Sequence, residues 1–106
     1  MKQTDLEKLA LAINKANAYA SAYSDVEDGG SCNLDTPVIK IKGLTEEQAK
    51  RLPANLGKVS SGVWKGWWFV FGNLQGQAMR RTAMAEAICK SLEEDGYEAS
   101  VYYMLD

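Results

Sequence analysis

An α+β fold is what this 106-residue sequence predicts. Three patterns carry the prediction. Apolar residues recur at helical spacing in two long segments, one near the start of the chain and one in its last third. Short β-prone runs lie between and after them, cut apart by glycine and proline. The resulting order is a helix followed by βαββαβ, which matches a split βαβ, ferredoxin-like sheet with helices packed on one face and an added N-terminal helix. The length suits a single domain spanning residues 1–106 with its own core.

Taken in order, Thr4-Asp5-Leu6-Glu7 reads as a capping box, with Thr4 accepting at the helix start and Glu7 reaching back. Leu6, Leu9, Ile13, Ala16 and Ala20 then form an apolar stripe, predicting a first helix from about Thr4 to Tyr23. Asn17, Ser21 and Ser24 fall beside the stripe, either as satisfied polar groups at the core edge or as part of a binding wall. Asp25 to Pro37 reads as a loop, with two glycines, four acids and a closing proline. Val38 to Lys42 is a short strand that Gly43 breaks. Thr45-Glu46-Glu47-Gln48 is a second capping box, opening a short helix that ends by Pro53. Asn55 to Lys58 reads as a turn. Val59 to Trp64 and Trp67 to Phe71 are β-prone runs joined by a Lys65-Gly66 hairpin turn, with a single bent strand as the competing reading. The third helix runs from about Gln77 to Asp95 and stops at Gly96, with Met84, Ile88 and Leu92 facing the core and Ala78 and Ala85 flanking. Tyr97 to Leu105 is the last strand, placing Tyr97, Ala99, Val101, Tyr103 and Leu105 on one face.

Composition narrows the function. The chain has no histidine, which removes Ser-His and Cys-His catalysis and histidine-containing zinc sites. Cys32 and Cys89 belong to no C-x-x-C pair, and the longest apolar run, Trp67 to Phe71, is far too short to cross a membrane. No signal-peptide pattern precedes Thr4. A reduced, cytoplasmic protein without membrane association is expected. The net charge of −2 is unevenly spread: residues 40–81 hold eight Lys/Arg against Glu46 and Glu47, while both ends are acidic. A basic middle suits a negatively charged partner. A sequence pI near 5.1 argues against general nucleic-acid binding.

The stretch Trp67 to Arg81 is the most informative. It reads as an apolar strand, a turn holding Gly72, Asn73, Gly76 and Gln77, and a helix start carrying Arg80 and Arg81. A helix start exposes unpaired N–H groups and a partial positive charge, and guanidiniums add two-pronged donors for phosphate or carboxylate. Winding the helix places Arg81 about 20° from Ile88, on the core face, where a charge needs a partner. Arg80 lies about 80° to the other side and can reach the same rim. Two readings of Arg81 stay open: an anion ligand, or a structural ion pair with an acid such as Asp35 or Asp28. Strand alternation sends Trp67, Phe69 and Phe71 to one face and Trp68 and Val70 to the other; one face is core, and the other is free to stack on a base. Trp68 is taken as the ring beside the arginines. In the acidic loop, Gly29, Gly30 and Ser31 suit an anion nest and Asn33 lies within reach of it. Asp25, Glu27, Asp28, Asn33 and Asp35 are candidate ligands of a hard cation but lack EF-hand spacing, and no base accompanies Cys32, so a plain Asx-rich turn is favoured over a metal site or a nucleophile. Gly72-x-x-x-Gly76 lacks the Lys-Ser/Thr ending of a Walker loop, so ATP hydrolysis is not expected. The expected ligand set is therefore Arg81, Arg80, Gly76, Gln77, Asn73, Gly29, Gly30, Ser31, Asn33 and Trp68, with no catalytic residue, metal or cofactor.

Asp28-Gly29-Gly30-Ser31-Cys32-Asn33-Leu34-Asp35 and the ending Gly76-Gln77…Arg81-Thr82-Ala83-Met84-Ala85-Glu86-Ala87…Val101-Tyr102-Tyr103 resemble a family of small phage and prophage proteins of Firmicutes, marked by a DGG[ST]CN[FL]D loop and a GQ…RTxMAEA…VYY ending. Some relatives of that family are anti-CRISPR proteins that inhibit Cas9. The resemblance covers the loop and the last third of the chain; it brings no catalytic residue, and it implies a phage-type protein that blunts a bacterial defence. Joined to the residue reading, it favours a non-enzymatic inhibitor with an anion- or nucleotide-binding site, for example one that sequesters a nucleotide second messenger. The alternative is an anti-CRISPR protein that docks on Cas9 itself and blocks DNA recognition or cleavage; a small enzyme is the third class. Three tryptophans and five tyrosines are many for so small a core, which points to a homo-oligomer.

Overall fold

The computed structural model describes residues 1–23, 35–53, 56–59, 62–70 and 78–103, with the side chains of residues 78 and 79 left aside. The chain is α+β: an N-terminal helix α1 (Gln3–Ala20), strand β1 (Thr36–Lys40), a one-turn helix α2 (Glu46–Ala49), strands β2 (Leu56–Lys58) and β3 (Trp67–Val70), helix α3 (Ala78–Glu94) and strand β4 (Glu98–Tyr102). The four strands form one antiparallel sheet in the order β2-β3-β1-β4.

The ladders fix which side chains share a face. Ile39 lies opposite Trp68 and Ala99, and Leu56 lies opposite Val70. These residues join Leu9, Ile13, Ala16 and Ala20 of α1 and Met84, Ile88 and Leu92 of α3 in a single apolar core. The stripes read from helical spacing are therefore the buried ones. α1 packs chiefly on α3, and its alanines Ala12, Ala16 and Ala20 let the two helices approach closely. Full burial of Leu9, Ile13, Ile88 and Leu92 stabilises the fold by about 1.5–3 kcal/mol each.

The structure corrects several element boundaries. α1 starts at Gln3, with Lys2 at its cap position and no side-chain cap bond, so the Thr4 capping box does not form. Tertiary anchoring takes its place: the amino group of Met1 donates to the Gly43 carbonyl at 3.1 Å, and Gln48 Nε2 donates to the Met1 carbonyl at 2.9 Å. The second box forms as read, with Gln48 N–H donating to Thr45 Oγ1 and Thr45 N–H donating to Gln48 Oε1, both at 3.2 Å. β1 lies two residues upstream of its predicted span and includes Pro37. Its ladder with β3 begins only at Val38, one residue after the proline that has no N–H to give.

The largest miss is β2. It occupies Leu56–Lys58, expected to be a turn, while Gly62–Trp64 within the expected strand is a 3₁₀ turn. Strand pairing decides this: Leu56 reaches the core from its place opposite Val70, and Val59 N–H still donates to the Trp67 carbonyl at 3.1 Å. Val63, by contrast, is 89% exposed. Neither the two-residue hairpin nor the single bent strand is present. Gly66 has φ of +86°, a left-handed conformation favouring glycine, and its carbonyl accepts from Ile41 N–H at 3.2 Å. α3 ends as predicted at Gly96, whose φ is +91°. Gly96 N–H donates to the Glu93 carbonyl and Tyr97 N–H to the Leu92 carbonyl, at 3.0 and 3.1 Å, the paired bonds of a Schellman ending. β4 stops at Tyr102, leaving Tyr103 exposed; Leu105 lies outside the described residues. No helix among the described residues is long and apolar enough to cross a membrane.

Candidate functional site

Arg81 stands in the first turns of α3, half-buried against the start of β1. Its Nε donates to the Asp35 carbonyl at 3.0 Å and its Nη2 to Thr36 Oγ1 at 3.1 Å. The neighbouring Thr82 hydroxyl donates to Asp35 Oδ2 at 2.7 Å. Asp35 is only 3% exposed, and Thr36 is completely buried. Burial lowers the guanidinium pKa from its ordinary value, and the charge of Asp35 offsets part of that. Two successive residues of α3 thus clamp the first residues of β1. The sequence reading named Asp35 as a partner for a core-facing Arg81, and Asp35 is the acid beside it; the direct hydrogen bonds, however, run to the Asp35 backbone and the Thr36 hydroxyl. Arg80 is half-exposed beside it. Gly76, Gln77, Asn73, Gly29, Gly30, Ser31 and Asn33 lie outside the described residues, so the geometry around this clamp concerns Arg80, Arg81, Thr82, Asp35 and Thr36 alone.

Trp68 is not a ligand-facing ring. It is 4% exposed and belongs to the core, because it shares a face with Ile39 and Ala99. The aromatic surface is on the opposite side of the same strand. Trp67 and Phe69 project away from the helices, together with Tyr102 of β4, and Trp64 folds over from the 3₁₀ turn. Trp64 meets Trp67 edge-on at 5.1 Å between ring centres and Tyr102 at 5.5 Å, and Phe69 meets Tyr102 edge-on at 5.2 Å. All four rings are partly exposed. Two of these contacts are edge-to-face and the third is tilted, all at separations where aromatic pairs attract one another. Lys40 and Glu98 flank the group on this same face, 3.9 Å apart. Exposed Val63 and Tyr103 neighbour Trp64 and Tyr102 in the chain.

The alternation within β3 contained this result. It separated Trp67 and Phe69 from Trp68 and Val70, and only the choice of buried face was wrong. Tyr102 and Trp64 were missed because their places depend on the β1–β4 ladder and on a turn read as strand. Among the described residues, no group of three or more Cys, Asp or Glu side chains converges as a metal site. Cys89 is buried, and burial together with the neighbouring Glu93 and Glu86 pushes its thiol up to about 12. Its Sγ donates to Glu93 Oε1 at 3.1 Å, the environment of a structural cysteine and not of a nucleophile. No family model, curated protein or solved structure matches this chain.

Proposed function

We propose that this chain is a non-enzymatic, phage-type inhibitor of bacterial defence that works by holding a nucleotide-containing ligand against the helix-free face of its sheet. The aromatic group of Trp64, Trp67, Phe69 and Tyr102 carries the reading. Partly exposed rings are what a nucleobase stacks on: stacking contributes about 1–3 kcal/mol per base, and every base has a π-face. The resemblance of the Asp28–Asp35 and Gly76–Tyr103 motifs supplies the anti-defence setting and the host cytoplasm. The strand order β2-β3-β1-β4 supports a ferredoxin-like, split βαβ reading of the fold, in which α2 is reduced to one turn and α1 stands beside α3 in its place.

Exposed Val63 and Tyr103 favour a second reading, in which the same surface docks on a defence nuclease such as Cas9 or on a second copy of the chain. Tryptophan fluorescence and thermal shift with mononucleotides, cyclic dinucleotides and short single-stranded oligonucleotides separate the two. Nucleotide binding raises the melting temperature by mass action and quenches the exposed rings, and Trp67→Ala weakens it tenfold or more, about 1.4 kcal/mol. No response to any nucleotide, with retention of the protein on Cas9, overturns the first reading and favours the second.

A further inference from the structure

A concavity lies at the other end of β1 from Arg81. It has a volume of about 610 Å³ and is bounded by the start of α1, by Lys42 and Gly43 just after β1, and by Tyr97 before β4. The anchoring of Met1 to Gly43 and Gln48 creates it, because those bonds hold the first turn of α1 against the segment that follows the strand. As a result Lys2 and Lys8 of the N-terminal segment line one opening together with Lys42 and the Met1 amino group, and Asp5 is the carboxylate in that lining. Among the described residues the side-chain ammoniums of Lys2, Lys8 and Lys42 make no ion pair or hydrogen bond, whereas Lys15 and Lys40 are paired with Asp95 and Glu98.

We propose that this cavity binds a small polyphosphate anion through Lys2, Lys8 and Lys42, with the Tyr97 hydroxyl as a further donor. Three lysine ammoniums and the Met1 amino group at one concave opening repel one another, and concave walls focus their field on whatever enters. Asp5 offsets one of these charges, so a ligand carrying several negative charges matches the site. Lysine is a point-charge binder of phosphate and needs no planar match. The volume falls in the range of small-molecule sites and admits a tripolyphosphate or a nucleoside triphosphate. A tyrosine hydroxyl keeps its proton at neutral pH and is able to donate, and burial, Asp95 and Asp5 raise the Tyr97 pKa further. Tyr97 packs against the core shared with α1, so the cavity is on the helix side of the sheet, away from the aromatic face, and does not rest on the nucleobase reading.

Calorimetric titration of the folded protein with inorganic tripolyphosphate and with ATP tests the site. The expected result is tripolyphosphate binding that weakens with added salt, falls tenfold or more in Lys8→Ala/Lys42→Ala, and persists in Lys8→Arg/Lys42→Arg. Lys15→Ala, outside the cavity, and Trp67→Ala, on the other face, leave it unchanged. Equal affinity for both ligands means that the phosphate chain alone is recognised; tighter ATP binding that is also lost in the lysine double variant means that the cavity takes a nucleotide. Absence of binding to both ligands, or equal binding by wild type and the lysine-to-alanine variant, overturns the proposal. Loss in Trp67→Ala would place the anion on the aromatic face instead.

Discussion

Arg81 illustrates how one charged side chain serves the fold before it serves a ligand. Two of its N–H groups go to Asp35 and Thr36, and Thr82 holds the buried Asp35 carboxylate next to it. Removing the guanidinium takes away two hydrogen bonds made to the buried Asp35 carbonyl and Thr36 hydroxyl, so Arg81→Ala is expected to lower stability by about 1–3 kcal/mol in urea denaturation. Lysine, a single point donor, does not restore the forked pair of bonds. Unchanged stability with lost anion binding would return Arg81 to a ligand role. Helical winding showed Arg81 facing the core; it did not show which atoms of β1 would meet it, because that depends on where β1 starts. Cys89 gives a pH-dependent expectation. Its thiol is neutral in the folded chain up to about pH 12, well above the usual range for an unfolded thiol. The stability this contributes is complete below the unfolded pKa and is lost as pH rises from roughly 9 toward 12. Alkylation of Cys89 at pH 8 should accordingly be much slower in the native protein than in urea.

At the scale of elements, local chemistry was legible where it closes on itself. The Thr45 box and the Gly96 ending each satisfy their bonds within a few residues, and both formed as the sequence indicated. The Thr4 box failed because Met1 is held by groups more than 40 residues away in the chain, which no local pattern contains. β2 was hidden for the same reason: a three-residue strand has almost no periodicity, and its existence rests on pairing with β3. α3 carries one element-scale oddity. Ser91 is buried, and its hydroxyl has no hydrogen-bond partner among the described residues. Ser91→Ala is expected to raise stability by about 1 kcal/mol, since it removes an unsatisfied polar group while preserving helix propensity. A loss of stability on chemical denaturation would show instead that the hydroxyl is satisfied in solution.

For the whole molecule, the decisive asymmetry is between the two faces of one sheet. The helices cover the Ile39, Trp68 and Val70 face, and the opposite face carries Trp67, Phe69 and Tyr102 with Trp64 laid over them. Periodicity separated Trp67 and Phe69 from Trp68 and Val70, but which set the helices cover is a property of the assembled layers. The measurement that tests the central claim most directly is a tryptophan-fluorescence titration of wild type and Trp67→Ala with nucleotides and short single-stranded oligonucleotides. The expected result is saturable quenching in the wild type and at least tenfold weaker binding in the variant, with circular dichroism unchanged. Identical titrations of the two proteins, or no response in either, would contradict it.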